Sequence, residues 1–253
     1  KTADRLHATR PYADKLGQIL SQVNLAEYIE QFPLLQKREE VKRVALLVVT
    51  TNRGLCGAFN ASVIRMARDV AQELTDDGVS YELHVIGRKG ANALRYMGYE
   101  VASKTTNITD WPSFEDARLI AETLQERFLD GTVDELRIVY SNYVSVASQK
   151  PVTETILPMQ VGDDEEVTSE YILEPSAEEI LENLIPAIIN NRIFKALLET
   201  AAGEQAARRV AMKNATDNAE EIKRLLTRSY NRARQAKITQ EIAEIVGGAE
   251  ALN

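Results

Sequence analysis

The chain is poor in the residues that carry most enzyme chemistry. Of its 253 residues one is cysteine, Cys56, and two are histidine, His7 and His84. A lone thiol excludes an internal disulfide and leaves too few ligands for a zinc cluster, which fits a reducing compartment. No apolar run approaches the ~18 residues of a membrane-spanning helix, so any membrane association is expected to be indirect. Lys1-Thr2-Ala3-Asp4-Arg5 has none of the character of a signal peptide. A basic excess is missing too: 30 Lys and Arg face 38 Asp and Glu, a net charge of -8, which argues against an unspecific binder of nucleic acid or anionic lipid. With 44% hydrophobic residues, 12 glycines and 7 prolines, disorder and collagen are excluded and a sizeable core is expected.

The catalytic motifs are absent as well. There is no His-Glu-x-x-His pair, no ordered carboxylate run for calcium, no Gly-x-Ser-x-Gly elbow and no Gly-x-x-x-x-Gly-Lys-Ser/Thr phosphate loop. Asn52-Arg53-Gly54-Leu55-Cys56-Gly57-Ala58-Phe59-Asn60 follows an apolar run and precedes a helical pattern, where an open α/β sheet often binds phosphate. It holds one Gly-x-x-Gly, so a tight structural turn is the favoured reading. Cys56 as a nucleophile needs a base, and neither His7 nor His84 has a catalytic context; His84 reads more simply as a partly buried strand residue and Cys56 as a small buried apolar one. No catalytic, cofactor or metal site is expected.

Three regimes follow one another. Leu6, Ala13, Leu16, Leu20, Val23 and Ile29 recur at helical spacing, interrupted by Pro11, and predict a long first helix over 1–29. Because the chain opens at Lys1 inside that pattern, part of the natural N-terminus is expected to precede it. The β-branched run Val41–Thr50 reads as a buried strand. Strands at Tyr81–Ile86, Tyr99–Ser103, Glu135–Tyr140 and Val146–Leu157 alternate with helices at Gly90–Met97 and Ser113–Leu129, which predicts an open α/β sheet with helices on its faces. Asp163-Asp164-Glu165-Glu166 reads as an exposed loop before the third regime, which begins at Pro175. After Pro186 there is no proline, so some 60 residues can form one helix of about 90 Å.

Within that helix Ala211, Ala215, Ala219, Ile222, Leu226, Tyr230, Ala233 and Ala236 step by threes and fours, a stripe fit for a partner helix. Its alanines permit a close approach, and the first helix is the nearest candidate. Charge is also divided along the chain. Pro151 to Asn191 holds ten acidic residues and no basic one, whereas Glu204 to Lys237 holds nine basic and four acidic. The basic run reads equally as a solvated face or as a surface for a partner. Arg234, Gln235 and Thr239 centre almost opposite the alanine stripe, on the side of Arg209, Lys213, Arg224, Arg228 and Arg232.

Glu204-Gln205-Ala206-Ala207-Arg208-Arg209-Val210-Ala211-Met212-Lys213-Asn214-Ala215-Thr216-Asp217-Asn218-Ala219 closely resembles the gamma subunit of rotary ATP synthases. So does Tyr230-Asn231-Arg232-Ala233-Arg234-Gln235-Ala236-Lys237-Ile238-Thr239-Gln240-Glu241 and its continuation to Ala249. The Asn52–Asn60 loop and Arg10-Pro11-Tyr12-Ala13 look like that family's too. The resemblance implies a long antiparallel coiled coil of N- and C-terminal helices with an inserted Rossmann-like α/β sheet: a shaft helix over 1–32, a foot domain over 41–160 and a long shaft helix over 176–250. It implies a non-catalytic rotor without cofactor, working with the alpha and beta subunits, the epsilon subunit and the membrane c-ring.

Residue by residue, the family's contact with a beta-subunit loop falls on Arg234, Gln235 and Thr239. Its sleeve contacts fall on Ile242, Ile245, Val246 and Leu252, and Tyr171 is a foot candidate for the ring or epsilon. The family's usual stretch before Lys1 is not in the sequence, and the chloroplast cysteine insertion is absent, which points to the bacterial type at the cytoplasmic face of the cell membrane. Two other plans remain: a coiled-coil adaptor with an α/β recognition domain, and a Rossmann-type enzyme whose long helices mediate oligomerisation.

Overall fold

The structure is a computed structural model that describes residues 15–16, 25–108, 110–159 and 176–250, with the side chains of Ala26, Ala249 and Glu250 left aside. Two compact units divide within one helix, Lys1–Arg208 and Arg209–Asn253.

The first unit is built on β1 (Arg43–Val49), whose residues after Arg43 are all buried. Such a strand must be covered on both faces, which is why its sequence shows no alternation. Around it lie β2 (Ser80–Ile86), β3 (Val101–Thr105), β4 (Glu135–Ser145) and β5 (Ser148–Leu157), in the order β3-β2-β1-β4-β5. The first four strands are parallel and β5 runs antiparallel to β4. Because parallel strands need crossovers, helices α1 (Phe59–Asp76) and α2 (Arg88–Tyr96) join β1 to β2 and β2 to β3, and α3 (Phe114–Leu129) joins β3 to β4. The strand order reverses at β1, which sends α3 to the opposite face. One core therefore gathers Val44, Leu46 and Val48 against Val63, Ala67, Val70 and Leu94. The other gathers Ala45, Leu47 and Val49 against Ala121, Leu124 and Phe128 of α3 and against Leu181, Ile185, Ile189 and Leu198.

Those last four residues belong to α4 (Ala177–Glu250), a helix of 74 residues. It begins before Pro186 and runs through it. An interior proline costs ~3 kcal/mol, and burying Leu181, Ile185, Ile188 and Ile189 on both sides of it outweighs that loss at ~1.5–3 kcal/mol each.

Several boundaries differ from the sequence expectation for local reasons. Strand β3 starts at Val101 rather than Tyr99, because Gly98 (φ 89) and Tyr99 close α2, with Tyr99 N–H donating to the Leu94 carbonyl at 3.0 Å. Strand β4 runs on to Ser145, since its end pairs with β5 across a tight hairpin. Helix α3 opens where Ser113 accepts from Asp116 N–H while Asp116 accepts from Ser113 N–H, a reciprocal cap. In the expected first helix, Lys15 and Leu16 are helical, but Leu25–Tyr28 is a 3-10 turn, followed by another at Pro33–Leu35. Turning there lets Leu25, Leu34 and Leu35 enter the α3 core. The remaining residues of that helix, with Arg10-Pro11-Tyr12-Ala13 and His7, lie outside the described residues.

Candidate functional site

In an open α/β sheet, ligands bind outside the carboxyl ends of the strands where the order reverses, here between β1 and β4. This chain fills that crevice with its own helix. Leu197, Thr200, Ala201 and Glu204 of α4 close over Val49, Thr50, Thr51 and Asn52, leaving a cavity of about 30 Å³. Gly203 allows the helix to come that near, since a Cβ there would lie 2.8 Å from the Phe59 ring. One turn on, Arg208 donates through Nε and Nη2 to the Gly54 carbonyl at 3.3 Å and pairs with Glu204.

The Asn52–Asn60 loop spends its polar groups on holding itself. Thr51 N–H donates to Asn60 Oδ1 at 3.1 Å, Asn60 Nδ2 donates to Thr51 Oγ1 at 2.9 Å, and Asn52 donates to the carbonyls of Thr106 and Ile108. Held this way, Leu55 keeps a φ of 61, a conformation that a leucine adopts only when its surroundings impose it. The purified chain is therefore expected to give no saturable heat with ATP or NAD in titration calorimetry; a stoichiometric micromolar site would contradict the sealed crevice.

Cys56 and His84 lie in different places. Cys56 is buried and receives Asn60 Nδ2 at 3.3 Å. His84 lies in a cleft of about 540 Å³ between β3 and α3, its Nδ1 2.8 Å from Ser103 Oγ and its Nε2 3.5 Å from Glu82. Glu82 itself is held by Arg127 at 2.6 Å and Arg43 at 3.7 Å. Burial lowers the His84 pKa, partly opposed by Glu82 and reinforced by Arg127. The unfolded chain thus takes up a proton below pH ~6.5 before the folded one does. Stability is full above that pH and is lost as pH falls toward the folded value. His84→Asn should flatten that part of the pH dependence in urea titrations, while a profile unchanged by the substitution would locate the effect elsewhere.

The second unit offers a different surface. From Met212 to Gly248 every residue of α4 is exposed among the described residues. Leu226 is 65% exposed, Tyr230 66% and Ile245 72%, far above what an apolar side chain keeps in a partnered helix. The expected seam residues from Ala211 to Ala236 all lie on this helix, along one side of it. Arg234, Gln235 and Thr239 are exposed, and no ion pair engages Arg234 among the described residues. Thr239 Oγ1 donates to the Gln235 carbonyl at 2.9 Å, which leaves its lone pairs to a partner. Ile238, Ile242, Ile245 and Val246 are exposed and share a face at helical spacing. Tyr171, Leu252 and Asp163 to Glu166 lie outside the described residues.

A family model described as ATP synthase matches residues 1–252. The ATP synthase gamma chain of Gemmatimonas aurantiaca is 49% identical over 255 residues, covering 100% of this chain and 88% of that protein. The chain belongs to the ATP synthase gamma-chain family. The gamma chain of Leptospira biflexa is 42% identical, with 100% of this chain and 89% of that protein covered. Among solved structures, the fold is similar to a chain of Euglena gracilis mitochondrial ATP synthase, with a TM-score of 0.62, 21% identity and coverage of 99% and 93% of the two chains. It is also similar to a chain of the Tetrahymena thermophila central stalk and c-ring assembly, with a TM-score of 0.57, 20% identity and coverage of 85% and 99%.

The exposed stretch of α4 carries its pattern in contiguous sequence, whereas its anchored root does not. Leu197, Thr200, Gly203 and Glu204 meet β1 and α1 across more than 130 positions of sequence, and no local pattern announces that contact. The one available signal was Gly203, a glycine inside a helix with no cap to form.

Proposed function

We propose that the first helix, ending before the 3-10 turn at Leu25–Tyr28, and the exposed stretch Met212–Gly248 of α4 form the antiparallel coiled coil of a turning shaft, with 41–160 as its foot. As a member of its family the chain is a non-catalytic central-stalk subunit of ATP synthase, coupling ion flow to ATP synthesis and hydrolysis by rotation. What carries the shaft reading is the stretch Met212–Gly248, a helix with an alanine-rich stripe, a basic side and an apolar end, all exposed. Helices in proteins draw most of their stability from packing an apolar face, so such a surface calls for partners.

In this reading the stripe receives the first helix, and the opposite side faces the catalytic ring of alpha and beta subunits. Arg234, with its planar multidonor head, takes a carboxylate of one beta subunit, and Gln235 and Thr239 add uncharged hydrogen bonds. Ile242, Ile245, Val246 and Leu252 turn inside an apolar sleeve. The shaft is asymmetric, so at any angle it contacts each catalytic subunit differently, and that difference in contact free energy biases each site among its states of nucleotide affinity. Tyr171 and the acidic run near it belong to the foot, toward the epsilon subunit and the c-ring. No helix among the described residues is long and apolar enough to cross a membrane; the proposed place, peripheral at the cytoplasmic face, rests on the bacterial gamma chains that the sequence resembles.

Ala215→Glu and Ala219→Glu test the seam. A carboxylate in a close alanine contact is either desolvated or forces the helices apart. Each variant should copurify poorly with the alpha and beta subunits or lose coupling between proton pumping and hydrolysis. Unchanged assembly and coupling in both would contradict the packing and favour a coiled-coil adaptor.

A further inference from the structure

Among the described residues, helical threonines follow one habit with one exception. Thr75, Thr123, Thr216, Thr227 and Thr239 each donate Oγ1 to the carbonyl four residues back, at 2.8–3.0 Å. That bond is the ordinary outlet for a hydroxyl inside a helix. Thr200 is 4% exposed, and its Oγ1 is buried with no partner. It lines the cavity of about 30 Å³ left between α4 and the end of β1. A buried hydroxyl without a partner costs ~1–3 kcal/mol, and turning it onto its own helix would be the cheapest remedy.

We propose that this cavity is a binding site for one structural water, which accepts the Thr200 hydroxyl and joins the root of α4 to the sheet. The volume is enough to hold a water molecule. The walls also supply acceptors. Glu204, one turn further on the same helix, receives Arg208 on Oε1 and keeps a second carboxylate oxygen. Thr50 Oγ1 takes the Gly90 N–H at 3.1 Å and retains a lone pair. A cation is the poorer occupant, because both carboxylates of the lining are neutralised, Glu204 by Arg208 and Asp110 by Arg53. The water completes the closure of the crevice: an α/β sheet that elsewhere would hold a ligand there binds its own helix instead, through Thr200, Glu204 and the Arg208 contact with Gly54.

The test is a high-resolution structure of the full chain and of Thr200→Val and Thr200→Ser, with thermal unfolding of each. The proposal expects a solvent peak about 2.7–3.2 Å from Thr200 Oγ1, kept in Thr200→Ser and lost in Thr200→Val, and a fall in Tm of ~2–6 °C for Thr200→Val. A hydroxyl turned onto the Ala196 carbonyl with no peak beside it would overturn the proposal. So would an unchanged or raised Tm for Thr200→Val, the mark of a dry cavity, or a Tm that depends on whether sodium, potassium or choline is the cation present.

Discussion

Replacing Arg234, Gln235 and Thr239 together by alanine is expected to lower ATP turnover of the assembled complex by at least tenfold while the isolated chain keeps its helix content. Arg234→Ala alone should weaken the grip on one beta subunit by about 1.5–3 kcal/mol, and Gln235→Ala or Thr239→Ala by about 0.5–1.5 kcal/mol each. The order follows from the chemistry: a charged multidonor group loses more than an amide, and Thr239 has already given its hydrogen to the Gln235 carbonyl. The only internal contact removed is the Thr239 bond to the Gln235 carbonyl within the helix, and all three side chains are exposed, so the fold should hold. Steady-state hydrolysis and proton pumping by the reconstituted complex measure the effect, with circular dichroism as the folding control. Wild-type rates in both assays for the triple variant would make this side an ordinary solvated face.

The largest stability effect is expected at Gly87, between β2 and α2. Its φ is 95, and a Cβ there would lie 2.4 Å from the backbone oxygen of Thr50, which cannot step aside without disturbing β1. Gly87→Ala should cost about 3–5 kcal/mol, combining a positive-φ backbone (φ 95, ψ 135) essentially reserved for glycine with a clash against the Thr50 backbone at the end of the sheet's central strand. Gly98→Ala separates the two contributions. Gly98 has a φ of 89 but nothing within 4 Å of its Cβ position, so only the strain of ~1–2 kcal/mol applies. Urea unfolding followed through Trp111, the single tryptophan, reads both variants in the α/β unit. Equal losses at the two glycines would mean that the contact with Thr50 carries no weight.

The legible parts of the fold were those whose signal is local. β1 announced itself as an unbroken apolar run because it is covered on both faces, and α4 as a long stretch without proline because nothing interrupts it. The β3 boundary was missed because Tyr99 looks like a strand residue while its N–H is engaged by the α2 cap. The expected helix over 176–250 runs through Pro186, because Leu181, Ile185, Ile188 and Ile189 bury on either side of it. The site divided in the same way. Arg234, Gln235 and Thr239 rested on resemblance and helical geometry, both carried by a contiguous stretch. The sealing of the crevice depends on Thr200, Glu204 and Arg208 meeting Thr50 and Gly54, a tertiary contact that no window of sequence contains.

The central claim is that this chain acts by turning, with no chemistry of its own. Tyr96 is 93% exposed and Cys56 is buried, so Tyr96→Cys places one reactive thiol on the α/β unit for a probe. With the catalytic hexamer fixed to a surface and ATP supplied, single-molecule imaging of that probe should record sustained rotation in one direction that stops when ATP is withdrawn. A probe that stays at a fixed angle while the same complexes hydrolyse ATP would contradict the account.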